Sequence, residues 1–517
     1  MDDDGPGVRH DEPMTNPFHM PDPRETTPSD GVRVRYAPSP TGFLHIGGLR
    51  TALYCELFAR HHRGTFILRI EDTDRSRYVE GAIEDIYRSL ETCGVIPDEG
   101  IWLDRKGSVV QRGDMGPYIQ SERLDRYRAY ADGLVQAGKA YVCFCSAERL
   151  EKVREEQRLS GRPMMYDGAC RSLTMEESAK RVEAGEAHVT RLKLPKTGDV
   201  TVSDMIRGDV TFGWSTVDDQ VIMKSDGFPT YHLAATCDDH DMDITHVIRG
   251  EEWLPSTPKH AFIYQALGWD MPKFAHLPLL LNPDKSKLSK RQGDVSVKDY
   301  LDKGYLPDAL VNFVALLGWN PTGDREIYTH DELAAAFDMA KVNKAGAVFN
   351  IEKLDWLNSQ YLKTMPTERY LTLTHPFLGN ATDDGRFADR LLLMIRDRVV
   401  KTNDVTALTA PYLKEHLEYS NVSLPWKSMD TQSTRERLIA CRERIEGLDD
   451  ESVGDVTTLE HDLKALIAER GWGNGDTLWP LRVALSGMEK SPGPFELIVA
   501  FGKERALRRI DDALKAL

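Results

Sequence analysis

The sequence predicts an α/β domain with a parallel sheet, interrupted by a smaller α+β domain and followed by an all-α region. Three observations support this order. A strand, a rigid turn and a helix start follow one another at residues 32–58, short β-like runs interrupt the α/β rhythm between about 141 and 224, and strand patterns end at about residue 297. At 517 residues the chain is too long for one hydrophobic core, so we expect several domains.

Composition and charge limit the classes of protein to which the chain can belong. No apolar run approaches the roughly 20 residues that a membrane span needs, and no signal-peptide pattern opens the chain, so we expect a cytoplasmic protein with no membrane partner. Seven cysteines, an odd number, fit a reducing compartment better than a disulfide framework. The net charge of −16 repels polyanions, so any RNA site requires a local basic patch.

Residues 1–30 are predicted to form a disordered acidic tail. They are rich in Asp, Glu and Pro and carry almost no large apolar side chains, so burial cannot offset the entropy of ordering them. A mitochondrial transit peptide would be rich in Arg and poor in acids, which is the reverse of this composition.

The stretch from residue 32 to residue 58 has the pattern of a phosphate-binding turn. Residues 32–37 form a short alternating strand, which two prolines stop by fixing φ. Glycines then flank a histidine where an apolar helix begins, so a phosphate can approach backbone N–H groups at a helix N-terminus and accept a hydrogen bond from the imidazole. The alternative is an ordinary turn with a capping or surface histidine. The residues of this turn are Pro38, Pro40, Gly42, His45, Gly47 and Gly48.

A second strand is predicted at residues 65–70, and it delivers Glu71, Asp72 and Asp74 at its carboxyl end. Ligands of open α/β sheets bind at such ends, so these acids are candidates for a binding site. The alternative for them is helix capping. The next predicted helices span about 81–93 and 122–137.

The insertion at about 141–224 opens with a cluster of sulfur ligands. Cys143, Cys145, Tyr166 and Cys170 offer three sulfurs and a phenolate, a set that can form a four-ligand zinc site and tie together a module with a small core. The alternative is a set of reduced, half-buried thiols. The β-like runs of the insertion lie at 189–194 and 209–214.

The α/β pattern resumes at residue 227 and leads through a strand at about 277–281 to a lysine-rich loop at 285–294. Its cations, hydroxyl groups and glycine can clamp a polyphosphate and offset charge that develops on it. The alternative is a solvated basic turn. Beyond residue 297 the pattern is helical, with segments at 386–399 and 435–445, and the segment 503–509 clusters Lys and Arg locally.

Two of these stretches resemble the signature motifs of class I aminoacyl-tRNA synthetases. They are His45-Ile46-Gly47-Gly48 and Lys287-Leu288-Ser289-Lys290-Arg291. Four further stretches, at 37–42, 69–75, 226–233 and 248–253, resemble the bacterial-type glutamyl-tRNA synthetases of that class. The resemblance extends from Val32 to the C-terminus.

The resemblance implies a fold and domain limits. We expect a Rossmann-type catalytic domain in two halves around an inserted domain that holds the tRNA acceptor end, then helical domains that contact the tRNA stem and the anticodon. The expected limits are 1–30 for the tail, 31–140 and 225–296 for the catalytic halves, 141–224 for the insertion, 297–375 for the stem-contact domain and 376–517 for the anticodon-binding region.

The resemblance also implies a reaction. Glutamate is activated with ATP, which carries Mg²⁺, and the glutamyl group passes to tRNA(Glu); we expect a monomer. The implied catalytic residues are His45, Lys287 and Lys290. The implied ATP-binding residues are Pro38, Gly42, His45, Gly47, Gly48, Lys287, Leu288, Ser289, Lys290 and Arg291. The implied glutamate-binding residues are Arg35, Ser39, Glu71, Tyr231 and Arg249, and the sulfur cluster resembles a zinc site of some glutamyl enzymes.

Several alternatives stay open at this stage. Arg35 is the first candidate for the cation that meets the side-chain carboxylate of glutamate, and Arg249 is the second. The family often has Asn where this chain has Ala235, and Gly48 replaces a His, as is usual in glutamyl enzymes. The competing functions are a catalytically silent RNA-binding paralogue, a tRNA-modifying glutamyl-queuosine enzyme and a glutaminyl-tRNA synthetase.

Overall fold

The computed structural model describes residues 31–288, 296–321, 323–379, 384–419 and 423–517. The predicted tail and the loop residues Ser289, Lys290 and Arg291 lie outside the described residues. The strands are β1 Arg33–Tyr36, β2 Thr65–Leu68, β3 Glu99–Leu103, β4 Val109–Arg112, β5 Ala140–Cys143, β6 Val189–Leu192, β7 Asp199–Asp204, β8 Gly208–Gly213, β9 Val221–Met223, β10 His246–Gly250, β11 Lys273–Leu277, β12 Leu280–Leu281 and β13 Ala347–Val348.

Eight of the described strands form the main sheet, in the order β4-β3-β2-β1-β10-β11-β7-β8. The six strands from β3 to β7 are parallel, and β4 and β8 are antiparallel edge strands. The chain leaves β1 for β2 on one side and returns to β10 on the other. In an open parallel sheet such a switch point opens a crevice at the carboxyl ends of the strands.

The first helix lies across the sheet, directly after the predicted turn. Of its residues, most are buried, because the helix is covered by the sheet on one side and by helices from later in the chain on the other. The helices of the first half are α1 Ile46–His61, α2 Ala82–Thr92, α3 Leu124–Gln136, α4 Ala147–Leu159, α5 Met175–Glu183, α6 Tyr231–Asp241 and α7 Thr257–Leu267.

The insertion is divided between two sheets. In the described chain β5, β6 and β9 form a small antiparallel sheet, whereas the hairpin β7–β8 joins the main sheet, where Asp204 pairs with Phe274 of β11. The sequence pattern predicts that these strands belong to a separate inserted domain. Periodicity predicts that a segment is a strand, but the partner depends on residues far away in the chain.

The second half is helical, as predicted, apart from β13, which pairs in parallel with β12. The predicted helical segment at 386–399 corresponds to α13 and a following 3₁₀ turn that ends at Arg398, and the segment at 435–445 lies within α15. The helices are α8 Val297–Asp302, α9 Pro307–Ala315, α10 His330–Ala336, α11 Ile351–Thr364, α12 Thr367–Thr374, α13 Gly385–Ile395, α14 Asp404–Leu413, α15 Thr431–Gly447, α16 Asp450–Gly454, α17 Val456–Glu469, α18 Asn474–Ser486 and α19 Pro494–Ala516.

Two hydrophobic cores extend across the predicted limits at residues 296 and 376. The core of the main sheet continues through α8 to α10 and reaches Leu357 in α11, and the core of the C-terminal helices already includes Leu306. The limit at residues 375 and 376 therefore stays a prediction. None of the helices that the structure describes is both long enough and apolar enough to cross a membrane.

The basic segment 503–509 is occupied by contacts within the protein. Arg509 is buried and donates to the carbonyls of Leu485, Tyr412 and Lys414, at 2.6 to 2.8 Å. Arg505 and Arg508 form ion pairs with Asp384 and Glu504, and Lys503 donates to the carbonyl of Leu448. Helical periodicity places charges in α19 but does not show which of them face other helices.

Candidate active site

A cleft with a volume of about 820 Å³ opens at the carboxyl ends of β1, β2 and β10. It brings together residues from both halves of the interrupted α/β domain. Gly42 does not line it, although the turn around Gly42 does. The predicted residues that line the cleft are Arg35, Pro38, Ser39, His45, Gly47, Gly48, Glu71, Asp74, Tyr231, Arg249, Lys287 and Leu288, and Asp72 does not line it.

His45 caps the N-terminus of α1. Its Nδ1 accepts a hydrogen bond from the backbone N–H of Gly48 at 3.0 Å, so the proton of the neutral imidazole is on Nε2. The sequence analysis proposed capping and phosphate binding as alternatives. The geometry makes them compatible, because Nδ1 caps the helix and the same residue lines the cleft.

Two glycines after His45 allow close packing at this helix start. A Cβ atom at Gly48 would lie 2.5 Å from the hydroxyl oxygen of Tyr36, and a Cβ at Gly47 would lie 3.1 Å from the ring of His45. Both positions are therefore too crowded for a side chain without movement of a neighbour. The close approach of Tyr36 and Leu44 leaves no room for a His side chain at position 48 without movement of a neighbour.

Arg35 lines the cleft, but its charge is already compensated. The buried guanidinium forms two hydrogen bonds with Asp239, at 2.8 and 3.2 Å. Arg69, which is fully buried, contacts the same carboxylate at 2.8 Å and donates to Glu71 at 3.1 Å. The predicted role of Arg35 as the partner of a ligand carboxylate stays a prediction, and in the structure Asp239 already compensates its charge.

Glu71 follows β2 and is buried at the edge of the cleft. Burial raises the pKa of Glu71 to about 7, although the neighbouring cations Arg69 and Arg35 act in the opposite direction. A carboxyl group with a pKa in this range changes its charge near neutral pH. It can therefore receive a cationic ligand group only where it is ionised.

Arg249 is another buried arginine at the cleft, and its surroundings differ from those of Arg35. It donates to Tyr231 Oη at 2.9 Å, His276 Nε2 at 3.0 Å, Thr257 Oγ1 at 3.1 Å and His260 Nδ1 at 3.2 Å. These acceptors are neutral. Arg249 therefore presents a fixed cation to the cleft without the formal anion that Arg35 has.

The lysine loop enters the cleft at its first signature residues. Lys287 forms a β-bridge with Leu281, and both Lys287 and Leu288 line the cleft. The turn before them is held by Asp284, which accepts from the backbone N–H and the hydroxyl of Ser286.

The sequence analysis did not single out several residues of the cleft wall. Glu252 and Trp253 line it, and the ring of Trp253 lies 4.2 Å from that of Tyr231. Lys224 and Arg50 line it as well. The segment 248–253 contains Glu252 and Trp253 beside Arg249, so its motif was the signal that could have identified them.

The sulfur cluster of the insertion is assembled. The Sγ atoms of Cys143, Cys145 and Cys170 lie within 4.8 Å of one another, with Cys145 and Cys170 separated by 3.5 Å. Tyr166 Oη lies 3.4 Å from the Sγ atoms of both Cys143 and Cys145. Zn–S bonds of about 2.3 Å place sulfurs roughly 3.8 Å apart in a tetrahedral site, so the four side chains fit such a metal.

Two family models match the chain. The model described as "tRNA synthetases class I (E and Q), catalytic domain" matches residues 31–356, and the model described as "Anticodon binding domain" matches residues 369–514. The chain therefore belongs to the class I tRNA synthetases of the E and Q type. This confirms the predicted fold class and the resemblance on which it rests.

The relatives include several glutamate–tRNA ligases. Those of Alkaliphilus metalliredigens and Clostridioides difficile are 44% and 45% identical over 491 and 490 residues, and each match covers 93% of this chain and 98% of the relative. A crystal structure of a glutamate tRNA ligase from Elizabethkingia meningosepticum, in complex with its amino acid, matches with a TM-score of 0.84 and 38% identity, over 94% of this chain and 100% of that chain. The structure of the glutamate-tRNA synthetase from Elizabethkingia anophelis matches with a TM-score of 0.81, 38% identity and coverage of 94% and 99%.

Proposed function

We propose that this chain is a glutamate–tRNA ligase. It joins the α-carboxylate of glutamate to the α-phosphate of ATP, releases pyrophosphate, and transfers the glutamyl group to the terminal ribose of tRNA(Glu) for protein synthesis. The observation that carries the proposal is the cleft, where a helix N-terminus with His45 lies beside the fixed cation Arg249 and the acid Glu71. Relatives named glutamate–tRNA ligases, aligned over nearly the whole chain, support the same reaction.

Neither step needs a nucleophile from the protein, so catalysis consists of positioning and charge stabilisation. His45 donates from Nε2 to a phosphate oxygen at the start of α1. Lys287, together with Lys290 beyond the described part of the loop, offsets the negative charge that grows on the polyphosphate in the transition state. Mg²⁺ arrives with ATP, whose phosphates supply its main ligands.

Glutamate has an ammonium group and two carboxylates, and the cleft offers an acidic side chain for the cation and a basic side chain for a carboxylate. Glu71 receives the ammonium group when it is ionised, and Arg249 binds a carboxylate. Ser39 and Tyr231 contribute hydroxyl groups to the same pocket. Arg35 acts mainly through Asp239, because a buried arginine that already has a carboxylate partner gains less from a second one.

We also propose that the insertion holds one structural Zn²⁺ on Cys143, Cys145, Tyr166 and Cys170. The distances between these side chains support the site, and so does their setting, because the apolar cluster around them is small. A metal would supply the cross-link that such a module needs.

The tRNA is expected to contact the insertion and the C-terminal helices, while ATP and glutamate occupy the cleft. We propose a monomer, because the cleft, the insertion and the region matched by the anticodon-binding model all belong to one chain. The site of action is the cytoplasm, where translation consumes aminoacyl-tRNA.

Aminoacylation of purified tRNA isoacceptors tests the reaction. We expect glutamate on tRNA(Glu) and ATP–pyrophosphate exchange in the presence of tRNA. Transfer of glutamine alone would instead identify a glutaminyl enzyme, and a protein that binds tRNA without any exchange would be the silent paralogue. The same assay shows whether tRNA(Gln) is also charged with glutamate.

A further inference from the structure

Arg249 is surrounded by buried polar side chains that do not themselves line the cleft. They are His276 of β11, His260 and Thr257 of α7, and, one contact further away, Asp204 of β7. No motif in the sequence pointed to them. Their hydrogen bonds determine how the guanidinium of Arg249 is held.

The contact between Asp204 and His276 selects one tautomer of the imidazole. Asp204 Oδ2 lies 2.6 Å from His276 Nδ1 and 3.1 Å from the backbone nitrogen of His276. Arg249 Nε lies 3.0 Å from His276 Nε2. A guanidinium only donates hydrogen bonds, so Nε2 must be the acceptor, and the proton on Nδ1 is donated to Asp204.

His260 forms a second neutral support. Arg249 Nη1 lies 3.2 Å from His260 Nδ1, which must also accept, and His260 Nε2 then donates to His232 Nδ1 at 3.2 Å. Burial, with Arg249 nearby, keeps the pKa of His260 well below its ordinary value, and burial lowers the pKa of His276 too. Both imidazoles are thus neutral at physiological pH.

Neutral supports and charged supports have different consequences for a ligand. An acidic partner compensates the arginine, as Asp239 does for Arg35, and then competes with an incoming carboxylate. Imidazole nitrogens fix the plane of Arg249 by hydrogen bonds and leave its net charge for the ligand. The nearest acid in this chain of contacts, Asp204, is separated from Arg249 by a whole imidazole ring.

We propose that His276, held in one tautomer by Asp204, is a positioning residue that sets the specificity of Arg249 for a carboxylate ligand. This rests on the proposed function, in which that ligand is glutamate. Asp204 ends β7, the strand through which the inserted hairpin joins the main sheet. A strand of the insertion therefore supports the residue that recognises the amino acid.

The test compares His276→Met, His276→Gln and Asp204→Asn with the matched control His246→Gln, which changes a buried histidine of β10 outside the cleft. Methionine removes the acceptor for Arg249 Nε, and we expect the KM for glutamate to rise roughly tenfold while the KM for ATP stays unchanged. Glutamine restores most of the affinity, because its carbonyl can accept from Arg249 while its amide donates to Asp204.

Asp204→Asn examines the tautomer itself. The amide donor favours the other tautomer of His276 and points an N–H group at Arg249, so we expect a raised KM for glutamate and a smaller preference for glutamate over glutamine. A purely structural role would lower kcat and alter both KM values together, without rescue by glutamine.

The outcomes separate the two proposals. A wild-type protein that places no glutamate on tRNA refutes the proposed function. If the wild-type protein places glutamate on tRNA, but all three variants have the same KM for glutamate as the control, only the positioning role is refuted. If His276→Met does not fold, Asp204→Asn is compared with His276→Gln. The positioning role then requires that the KM for glutamate rises more in Asp204→Asn than in His276→Gln.

Discussion

At the scale of single residues, Arg35 and Arg249, two of the buried arginines at the cleft, have different electrostatic surroundings. Arg35 is paired with Asp239, which also binds Arg69, so this group is a buried ion network. Arg249 is bound by a phenol, a hydroxyl and imidazoles. We therefore propose that Arg35 mainly stabilises the fold and that Arg249 binds the ligand.

Substitution of each arginine by glutamine should separate these roles. Arg35→Gln leaves the buried Asp239 with Arg69 alone, and we expect a loss of about 3 kcal/mol of stability, seen as a lower urea midpoint. Arg249→Gln should lower the kcat/KM ratio of glutamate to glutamine and change the urea midpoint less. If the ratio shifts in Arg35→Gln and not in Arg249→Gln, this assignment is reversed.

Glu71 should make glutamate recognition depend on pH. Its raised pKa means that it is protonated below about pH 7 and ionised above it, and only the ionised form attracts an ammonium group. We therefore expect kcat/KM for glutamate to fall as the pH falls from about 8 to about 6. Glu71→Gln should have low activity without this dependence, and an unchanged wild-type profile would remove Glu71 from the pocket.

At the scale of elements, α1 belongs to both the cleft and the hydrophobic core. Its first turn holds His45 and two glycines at the cleft, and the rest of the helix is buried against the sheet. The position of His45 thus depends on how closely the helix start packs against Tyr36 at the end of β1.

Gly48→Ala should disturb this packing. The added methyl group would meet the hydroxyl of Tyr36, and overpacking of this kind costs about 1–3 kcal/mol. We expect Tyr36→Phe to recover part of the loss in a double-mutant cycle measured by urea unfolding. Strictly additive effects would show that Tyr36 does not determine the need for glycine.

The sulfur cluster should bind metal as a unit. We expect about one zinc per chain by elemental analysis, its loss in Cys170→Ala, and proteolysis of the insertion before other regions after chelation. Cys441→Ala is the matched control, because that cysteine is buried among the C-terminal helices. If the metal-free wild-type protein is as stable to heat as the untreated protein, these side chains only pack against one another.

At the scale of the whole molecule, an acidic chain must bind an acidic partner. The net charge is −16, and the segment 503–509, which looks basic in the sequence, is engaged in contacts between helices and with neighbouring acids. We therefore expect that other surfaces of the insertion and of the C-terminal helices also contribute cations that contact tRNA.

Binding of tRNA should still weaken steeply with salt, because each phosphate contact releases counterions whatever the net charge of the protein. We expect the logarithm of the association constant to fall linearly with the logarithm of the salt concentration, while the KM for glutamate changes little. A flat response between low and physiological ionic strength would contradict a phosphate-dominated interface.

The sequence by itself determined the α/β class, the turn of His45, the helical second half and the sulfur cluster. These features rest on local spacing: prolines and glycines set the turn, hydrophobic periods set strands and helices, and the ligand side chains of the insertion lie within a short stretch of chain. Motifs in the right order then identified the family.

Only the tertiary structure decided which charges are available. Arg35 and Asp239 are 204 residues apart in the chain, Asp204 and His276 are 72 apart, and Arg509 meets its carbonyl partners 24 to 97 residues away. Sequence spacing carries no information on such distances, because the partner is chosen by how strands and helices pack. The neutral residues that surround Arg249, and the partners that contact Arg35 and Arg509, therefore became visible only in the folded chain.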